Sequence, residues 1–199
     1  MTSGCLGDER GATILLTGPP GAGKTRTALL WSLQRRRPTF ALDWDPIASA
    51  IEVSDDLRGH AALDVDSRYQ LAAKVAAAHA ATITGSGVDC VIVGARAPRG
   101  TALPAGWEHT WDDLDQLEPY TVVLLPRMEV ALERNRADRS RRGAFAVSDD
   151  HVRGGYAFGW EQWESQPRAF VVDTSDMTLQ QVVAELEQLH IPSGATIDE

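Results

Sequence analysis

Two absences limit what this chain can be. It contains only two cysteines, Cys5 and Cys90. Cys5 falls in an expected N-terminal tail and Cys90 in an expected buried strand, so we expect no disulfide, which fits a reducing cytosol. No apolar run approaches the roughly 20 residues of a membrane-spanning helix, and the start of the chain lacks the apolar segment of a signal peptide. The sequence thus predicts a cytoplasmic protein without a membrane partner.

Positive charge is also scarce. The chain has 19 lysine and arginine residues against 28 aspartate and glutamate residues, a formal net charge of −9. Such an acidic chain is a poor general binder of nucleic acid, because a phosphate backbone needs a basic footprint. The length of 199 residues fits one domain, or one domain with a mobile lid.

What the chain does contain is the motif G-x-x-x-x-G-K-[ST], as Gly18-Pro19-Pro20-Gly21-Ala22-Gly23-Lys24-Thr25. An apolar run precedes the motif and a helix-forming stretch beginning with Arg26 follows it, which is the strand–loop–helix context of a phosphate-binding loop. Inward-pointing backbone N–H groups and the helix N-terminus attract phosphate there. We expect residues 18–26 to bind a nucleoside triphosphate, with Lys24 at the β- and γ-phosphates and Thr25 on Mg²⁺.

Hydrophobic patterning predicts strands that alternate with helices. The expected strands are 12–17, 39–43, 90–93, 121–125 and 169–173. The expected helices run from residue 23 or 24 to about 36, over 47–53, from a capping box at Ser67, near 111–117, over 126–138, from about 148, and over 178–189. This alternation is typical of a parallel, doubly wound sheet, whose ligands bind at the carboxyl ends of the strands.

Two carboxylates, Asp43 and Asp45, follow the second expected strand. In an extended chain they would point the same way, because side chains alternate with period two. One could act as general base for an acceptor hydroxyl, while the other positions the acceptor or Mg²⁺-bound water. The alternative is local turn chemistry ahead of Pro46.

Arginine is concentrated between residues 134 and 142, which hold five of these side chains. Arginines that fold over phosphates would neutralise charge during transfer and exclude water. A solvated helix face and an RNA contact are the alternatives. Arg96, after the third strand, is either an acceptor contact or part of a solvated loop. Trp44 is one of several aromatic residues that could wall an acceptor pocket, with core packing as the alternative.

These features together resemble the small P-loop kinases, which include chloramphenicol phosphotransferase, the kinase domain of 5′-polynucleotide kinases and the zeta-type toxins. The resemblance extends from Ile14 to Leu189 and is most specific in the glycine loop. It implies an α/β P-loop NTPase fold with three α/β/α layers, a parallel sheet of about five strands and an arginine-rich lid. We expect a leader at 1–11, a kinase domain at 12–190 with its lid at about 134–165, and a tail at 191–199.

The resemblance also implies roles for individual residues. In these families an Asp after strand two activates the acceptor hydroxyl; here Asp45 is most similar to it and Asp43 is the runner-up. Asp43 would then join Thr25 in holding the metal, and Trp44 and Arg96 would lie near the acceptor.

On the nucleotide side, the lid arginines of these families are most similar to Arg134 and to Arg139 or Arg141. Arg134 and Arg139 would act in transfer, and Arg134 would also contact the nucleotide. Thr174 lies in a stretch similar to the loop that packs against adenine. The implied cofactors are ATP, with GTP as an alternative, and Mg²⁺.

The third strand departs from the pattern of many P-loop proteins, because it ends Val93-Gly94-Ala95-Arg96 and carries no Asp. That departure argues against a motor or switch ATPase. The leading hypothesis is therefore transfer of the γ-phosphate of ATP to a hydroxyl of a small molecule, such as an antibiotic or a nucleoside-like metabolite. The alternatives are a 5′-OH polynucleotide kinase, which the arginine cluster keeps open, and a nucleotide-binding switch or regulatory ATPase without a kinase acceptor.

Overall fold

The computed structural model of the chain describes residues 10–48, 50, 65–96, 111–142 and 147–192. Most of the expected leader and tail lies outside these ranges. Within them, no helix is both long and apolar enough to cross a membrane.

Five parallel strands form one sheet in the order β2-β3-β1-β4-β5. The strands are β1 (Thr13–Thr17), β2 (Thr39–Asp43), β3 (Asp89–Val93), β4 (Tyr120–Leu124) and β5 (Ala169–Val172). Because the strands are parallel, their carboxyl ends share one edge, where Leu16 and Asp43 both pair in register with Val93. The expected sheet is confirmed, and its carboxyl edge brings together the ends of β1, β2 and β3.

Helices cover both faces of this sheet. They are α1 (Lys24–Gln34), α2 (44–48), α3 (Val65–Gly85), α4 (Asp112–Asp115), α5 (Met128–Arg142), α6 (Asp149–Tyr156) and α7 (Leu179–Gln188), and a 3-10 helix spans Trp160–Ser165. Side chains alternate along β1, so Ile14 packs in the core beneath α1 and α7, whereas Leu15 packs in the core beneath α3. The three-layer α/β/α fold is confirmed.

Two helix starts differ from the prediction. Helix α2 begins directly after β2, because Asp43 caps it: the backbone N–H of Asp45 donates to Asp43 Oδ1 at 3.1 Å. Helix α3 begins at Val65, so Ser67 lies inside the helix and is not its cap. A Ser-x-x-Gln spacing also fits a helix interior, where residues three apart share a face.

A buried carboxylate holds Arg35, the residue directly after α1. Arg35 donates to Asp89 Oδ2 at 2.6 Å, and its guanidinium lies over the Trp31 ring at 4.9 Å. Asp89 is fully buried and also accepts the backbone N–H of Ala12 at 2.8 Å. This carboxylate therefore ties the end of α1 to β1 and β3, at the opposite ends of the strands from the glycine loop.

Candidate active site

The glycine loop joins β1 to α1 at the carboxyl edge of the sheet. Gly21 has φ +82°, and a Cβ at this position would lie 2.4 Å from the carbonyl oxygen of Ala131 in α5. Gly18 has φ +137°, and its Cβ would lie 2.3 Å from the carbonyl oxygen of Leu124. Both positions therefore require glycine, because the backbone conformation and the close approach each exclude a side chain.

Lys24, the first residue of α1, extends back over the loop. Its Nζ donates to the carbonyl oxygens of Gly18 at 2.9 Å and Pro19 at 3.1 Å. Burial lowers the pKa of Lys24 from 10.5 to about 8, and the negative charges of Asp45 and Asp43 act in the opposite direction. The Lys24 ammonium thus interacts electrostatically with both predicted carboxylates.

Asp43 and Asp45 have different surroundings. Asp43 Oδ2 accepts a hydrogen bond from the Thr25 hydroxyl at 3.0 Å, while its Oδ1 caps α2. The prediction that the two side chains point the same way from an extended chain was wrong, since Asp45 is already helical. Asp43 is therefore held against the glycine loop, whereas Asp45 is exposed and lines a cavity.

Thr25 and Asp43 meet the chemical requirements of a partial Mg²⁺ site. A hydroxyl and a carboxylate oxygen 3.0 Å apart are the hard oxygen donors that this ion prefers. Among the residues that the structure describes, no group of three or more His, Cys, Asp or Glu side chains could hold a metal. The protein would then supply few ligands and the phosphates and water the rest, which is the usual arrangement for Mg²⁺ at nucleotide sites.

A cavity of about 490 Å³ lies over the glycine loop. Its walls include Asp45, the end of β3 at residues 93–95, Arg134 and Asp138 of α5, and His151 of α6. The volume falls within the range of about 300–1,000 Å³ that is common for small-molecule sites. The cavity therefore unites the glycine loop with the residues that follow β2 and β3.

Arg134 connects α5 to the loop after β5. Its guanidinium donates to the carbonyl oxygen of Thr174 at 2.7 Å, to the Thr174 hydroxyl at 3.3 Å and to the carbonyl oxygen of Met177 at 3.3 Å. Arg134 and Met177 both line the cavity, whereas Thr174 is fully buried, so the expected contact of Thr174 with a nucleotide stays a prediction. The side chain of Arg139 lies outside the described part of the chain, and its role stays a prediction.

Arg96 is buried, with 6% of its surface exposed, so the expectation of a solvated loop was wrong. Its guanidinium pairs with Asp115 at 2.5 Å and lies 5.5 Å from the Trp163 ring. Its backbone N–H donates to the Thr17 hydroxyl at 2.9 Å. The bond to Thr17 attaches the end of β3 to the residue before the glycine loop. A role of Arg96 in acceptor contact stays a prediction.

Trp44 is buried between Tyr69 and Trp111, with ring centroids 5.3 and 5.0 Å away. A Cβ at Gly94 would lie 3.0 Å from Trp111 and 3.8 Å from Trp44 Cβ. These rings therefore form a packed layer behind Gly94, whose own backbone lines the cavity. Direct contact between Trp44 and an acceptor stays a prediction.

Helix α6 packs on the glycine loop, which the sequence did not predict. A Cβ at Gly155 would lie 2.4 Å from Pro20 Cδ, so only a hydrogen fits between them. The Trp160 indole N–H donates to the carbonyl oxygen of Gly155 at 2.6 Å and holds this end of the helix. The available signal was the Gly154-Gly155 pair, which is unusual inside a helix because glycine disfavours helical structure.

No protein-family model and no curated protein matches this chain. Solved structures do match. The tunicamycin resistance protein of Deinococcus radiodurans has a TM-score of 0.59 at 18% identity, covering 94% of this chain and 99% of that one. A sugar kinase from Janibacter sp. HTCC2649 has a TM-score of 0.61 at 17% identity, with coverage of 88% and 92%. Shikimate kinase from Acinetobacter baumannii, in complex with shikimate, has a TM-score of 0.57 at 18% identity, with coverage of 90% and 93%.

The chain has the fold of the P-loop kinases. The three similarities cover 94%, 88% and 90% of this chain. At identities of 17–18% it establishes the fold. The resemblance to small P-loop kinases that the glycine loop indicated is confirmed at this level.

The contact between Gly155 and Pro20 makes a testable prediction. Gly155→Ala should lower the free energy of unfolding by about 1–3 kcal/mol, because overpacking at a tight contact displaces backbone. Urea denaturation followed by circular dichroism measures this loss.

Gly154→Ala is the matched control, since a Cβ there meets nothing within 4 Å. It should leave stability unchanged or raise it by up to about 1 kcal/mol through helix propensity. Equal effects of the two substitutions would contradict the proposed contact between α6 and the glycine loop.

Proposed function

We propose that this chain is an ATP-dependent phosphotransferase that moves the γ-phosphate to a hydroxyl group of a small molecule. One observation carries the proposal: Asp45 lines the same cavity as Lys24 and interacts electrostatically with its ammonium group. A carboxylate beside a phosphate-binding lysine is positioned to deprotonate an acceptor at the γ-phosphate.

The nucleotide occupies the glycine loop in this proposal. Backbone N–H groups of residues 18–25 surround the phosphates, and Lys24 contacts the β- and γ-phosphates. Arg134 and Met177 also line the cavity and would contact the rest of the nucleotide. The nucleotide is ATP, with GTP as the alternative.

The acceptor enters opposite the loop, over Asp45 and residues 93–95. Asp45 takes the proton of the acceptor hydroxyl while the oxygen of that hydroxyl bonds to the γ-phosphorus. The bond between that phosphorus and the bridging oxygen breaks, and the electron pair leaves with ADP. Asp43 keeps the Thr25 hydroxyl oriented during this step. Bound Mg²⁺ would neutralise phosphate charge, with Thr25 and Asp43 as its protein ligands.

The names of the structural neighbours support a small acceptor. They include a sugar kinase, a gluconokinase and shikimate kinase with shikimate bound. Val93, Gly94 and Ala95 form the wall where many P-loop proteins carry an Asp, which leaves room for an acceptor beside Asp45. A sugar, a polyol, an antibiotic or a nucleoside-like metabolite would fit this chemistry.

Asp45→Asn should reduce phosphoryl transfer at least about 100-fold, because the amide cannot accept the hydroxyl proton. The affinity for ATP should stay within about threefold, since the amide retains the shape of the carboxylate. The assay is ADP release with the hydroxyl compound that gives the fastest turnover in a panel of sugars, polyols and nucleosides.

Asp176→Asn is the control for this assay, because Asp176 pairs with Arg127 on the surface and has an 81% exposed side chain. It should retain wild-type transfer. Full transfer by Asp45→Asn would show that another group is the base.

Nucleotide affinity should fall as the pH rises above about 8. The free Lys24 loses its proton there, whereas bound phosphates favour the charged form, so binding takes up a proton. The dissociation constant of ADP should rise by up to about tenfold for each pH unit between 8 and 10. Burial raises the pKa of Cys90 to about 12 and also raises that of Tyr156, so neither group contributes to the pH dependence between 8 and 10.

Isothermal titration calorimetry over this pH range measures the effect. Lys24→Ala should bind ADP weakly and with no such slope. A wild-type slope in Lys24→Ala, or constant affinity in the wild type, would contradict the assignment of the proton to Lys24.

A further inference from the structure

His151 is a cavity residue that neither the sequence motifs nor the proposed chemistry accounts for. It lies on α6, is exposed, and lines the same cavity as Lys24 and Asp45. Its backbone N–H donates to Ser148 Oγ at 3.1 Å, which caps α6. The cap uses only the backbone of His151, so the cap does not occupy its imidazole.

Described contacts at both ends hold α6 in place. At its start, Arg136 donates two hydrogen bonds to Asp149, at 2.9 and 2.6 Å. At its end, the Tyr156 hydroxyl donates to the carbonyl oxygen of Pro126 at 2.7 Å, and Gly155 packs on Pro20. A residue on a helix fixed at both ends can bind a ligand without movement of its backbone.

The helix geometry places His151 near one particular part of the glycine loop. His151 and Gly155 are four residues apart and therefore share a face of α6. Gly155 contacts Pro20, and the preceding carbonyl, that of Pro19, accepts from Lys24 Nζ at 3.1 Å. The Lys24 ammonium marks the β/γ end of a bound triphosphate. His151 consequently lies about one helical turn from the contact between Gly155 and Pro20, near the β/γ end of a bound triphosphate.

The electrostatics of the cavity favour a further donor for the phosphates. Lys24 and Arg134 already donate to backbone carbonyl oxygens in the structure. Asp45 and Asp138 add negative charge to the cavity wall. An imidazole N–H supplies a hydrogen bond to a phosphate oxygen in its neutral form, and a positive charge as well when protonated.

We propose that the imidazole of His151 donates a hydrogen bond to the β- or γ-phosphate of the bound nucleotide. The inference rests on the proposed nucleotide site and adds a phosphate contact to it. His151 is then a residue that distinguishes nucleotides by their number of phosphates.

The test compares ATP with AMP on the full chain, at constant excess Mg²⁺ and without acceptor, by competition against a fluorescent ATP analogue. His151→Leu should weaken ATP binding about tenfold or more, because hydrogen bonds to charged groups are worth about 1.5–3 kcal/mol. AMP binding should change less than about twofold, since AMP lacks the distal phosphates. His151→Gln keeps an N–H donor and should stay within about threefold of the wild type for ATP.

His79→Leu is the matched control, because His79 is exposed on α3, away from the cavity wall. It should bind both nucleotides as the wild type does. Thermal melting of each variant identifies any change in stability. An equal loss of ATP and AMP affinity in His151→Leu, or unchanged ATP affinity, would overturn the phosphate contact.

Lys24→Ala separates this inference from the proposed function. If Lys24→Ala loses ATP binding while His151→Leu keeps it, the contact from His151 is wrong and the nucleotide site stands. If Lys24→Ala binds ATP as tightly as the wild type, the nucleotide site itself is wrong and the His151 contact falls with it.

Discussion

The close packing of the glycine loop is the constraint on which the rest of the site depends. Gly18 and Gly21 approach carbonyl oxygens of β4 and α5 so closely that only hydrogens fit between them. Gly155 of α6 approaches the Pro20 ring just as closely. Three separate elements therefore fix the loop. Close-packed contacts resist deformation, so α5 and α6 restrain the position of the loop.

The carboxylates depend on a second constraint, the short distance between the glycine loop and the end of β2. The Thr25 hydroxyl and Asp43 bridge this distance, and Asp43 also starts α2. Asp45 follows as a helical residue at the cavity wall. One aspartate thus orients the other, which gives two adjacent carboxylates different tasks in the proposed reaction.

Much of the fold was readable from the sequence, because the signals were local. Continuous apolar runs located the five strands to within a residue or so at each end, and Thr178 was recognised as the start of α7, where it forms a capping box with Gln181. The glycine motif fixed the loop, since its conformation requires those glycines. Parallel topology then followed from the alternation of strands and helices.

The remaining features depend on contacts between distant residues, which a single sequence does not reveal. Burial of Trp44 against Tyr69 and Trp111 accompanies an earlier start of α2 than propensity indicated. The contacts of Arg96 with Asp115 and Trp163 bury a side chain that the sequence left as either an acceptor contact or part of a solvated loop. His151 enters the cavity through the packing of α6, for which the sequence offered only two adjacent glycines.

The destination of the γ-phosphate tests the account most directly. ³¹P nuclear magnetic resonance of reactions containing ATP, Mg²⁺ and a panel of sugars, polyols, nucleosides and oligonucleotides identifies that destination without assumptions about the acceptor. The account predicts a phosphate monoester on a small hydroxyl compound, formed in equal amount to ADP. Release of inorganic phosphate alone, whatever compound is added, would contradict it and identify a nucleotide hydrolase or switch.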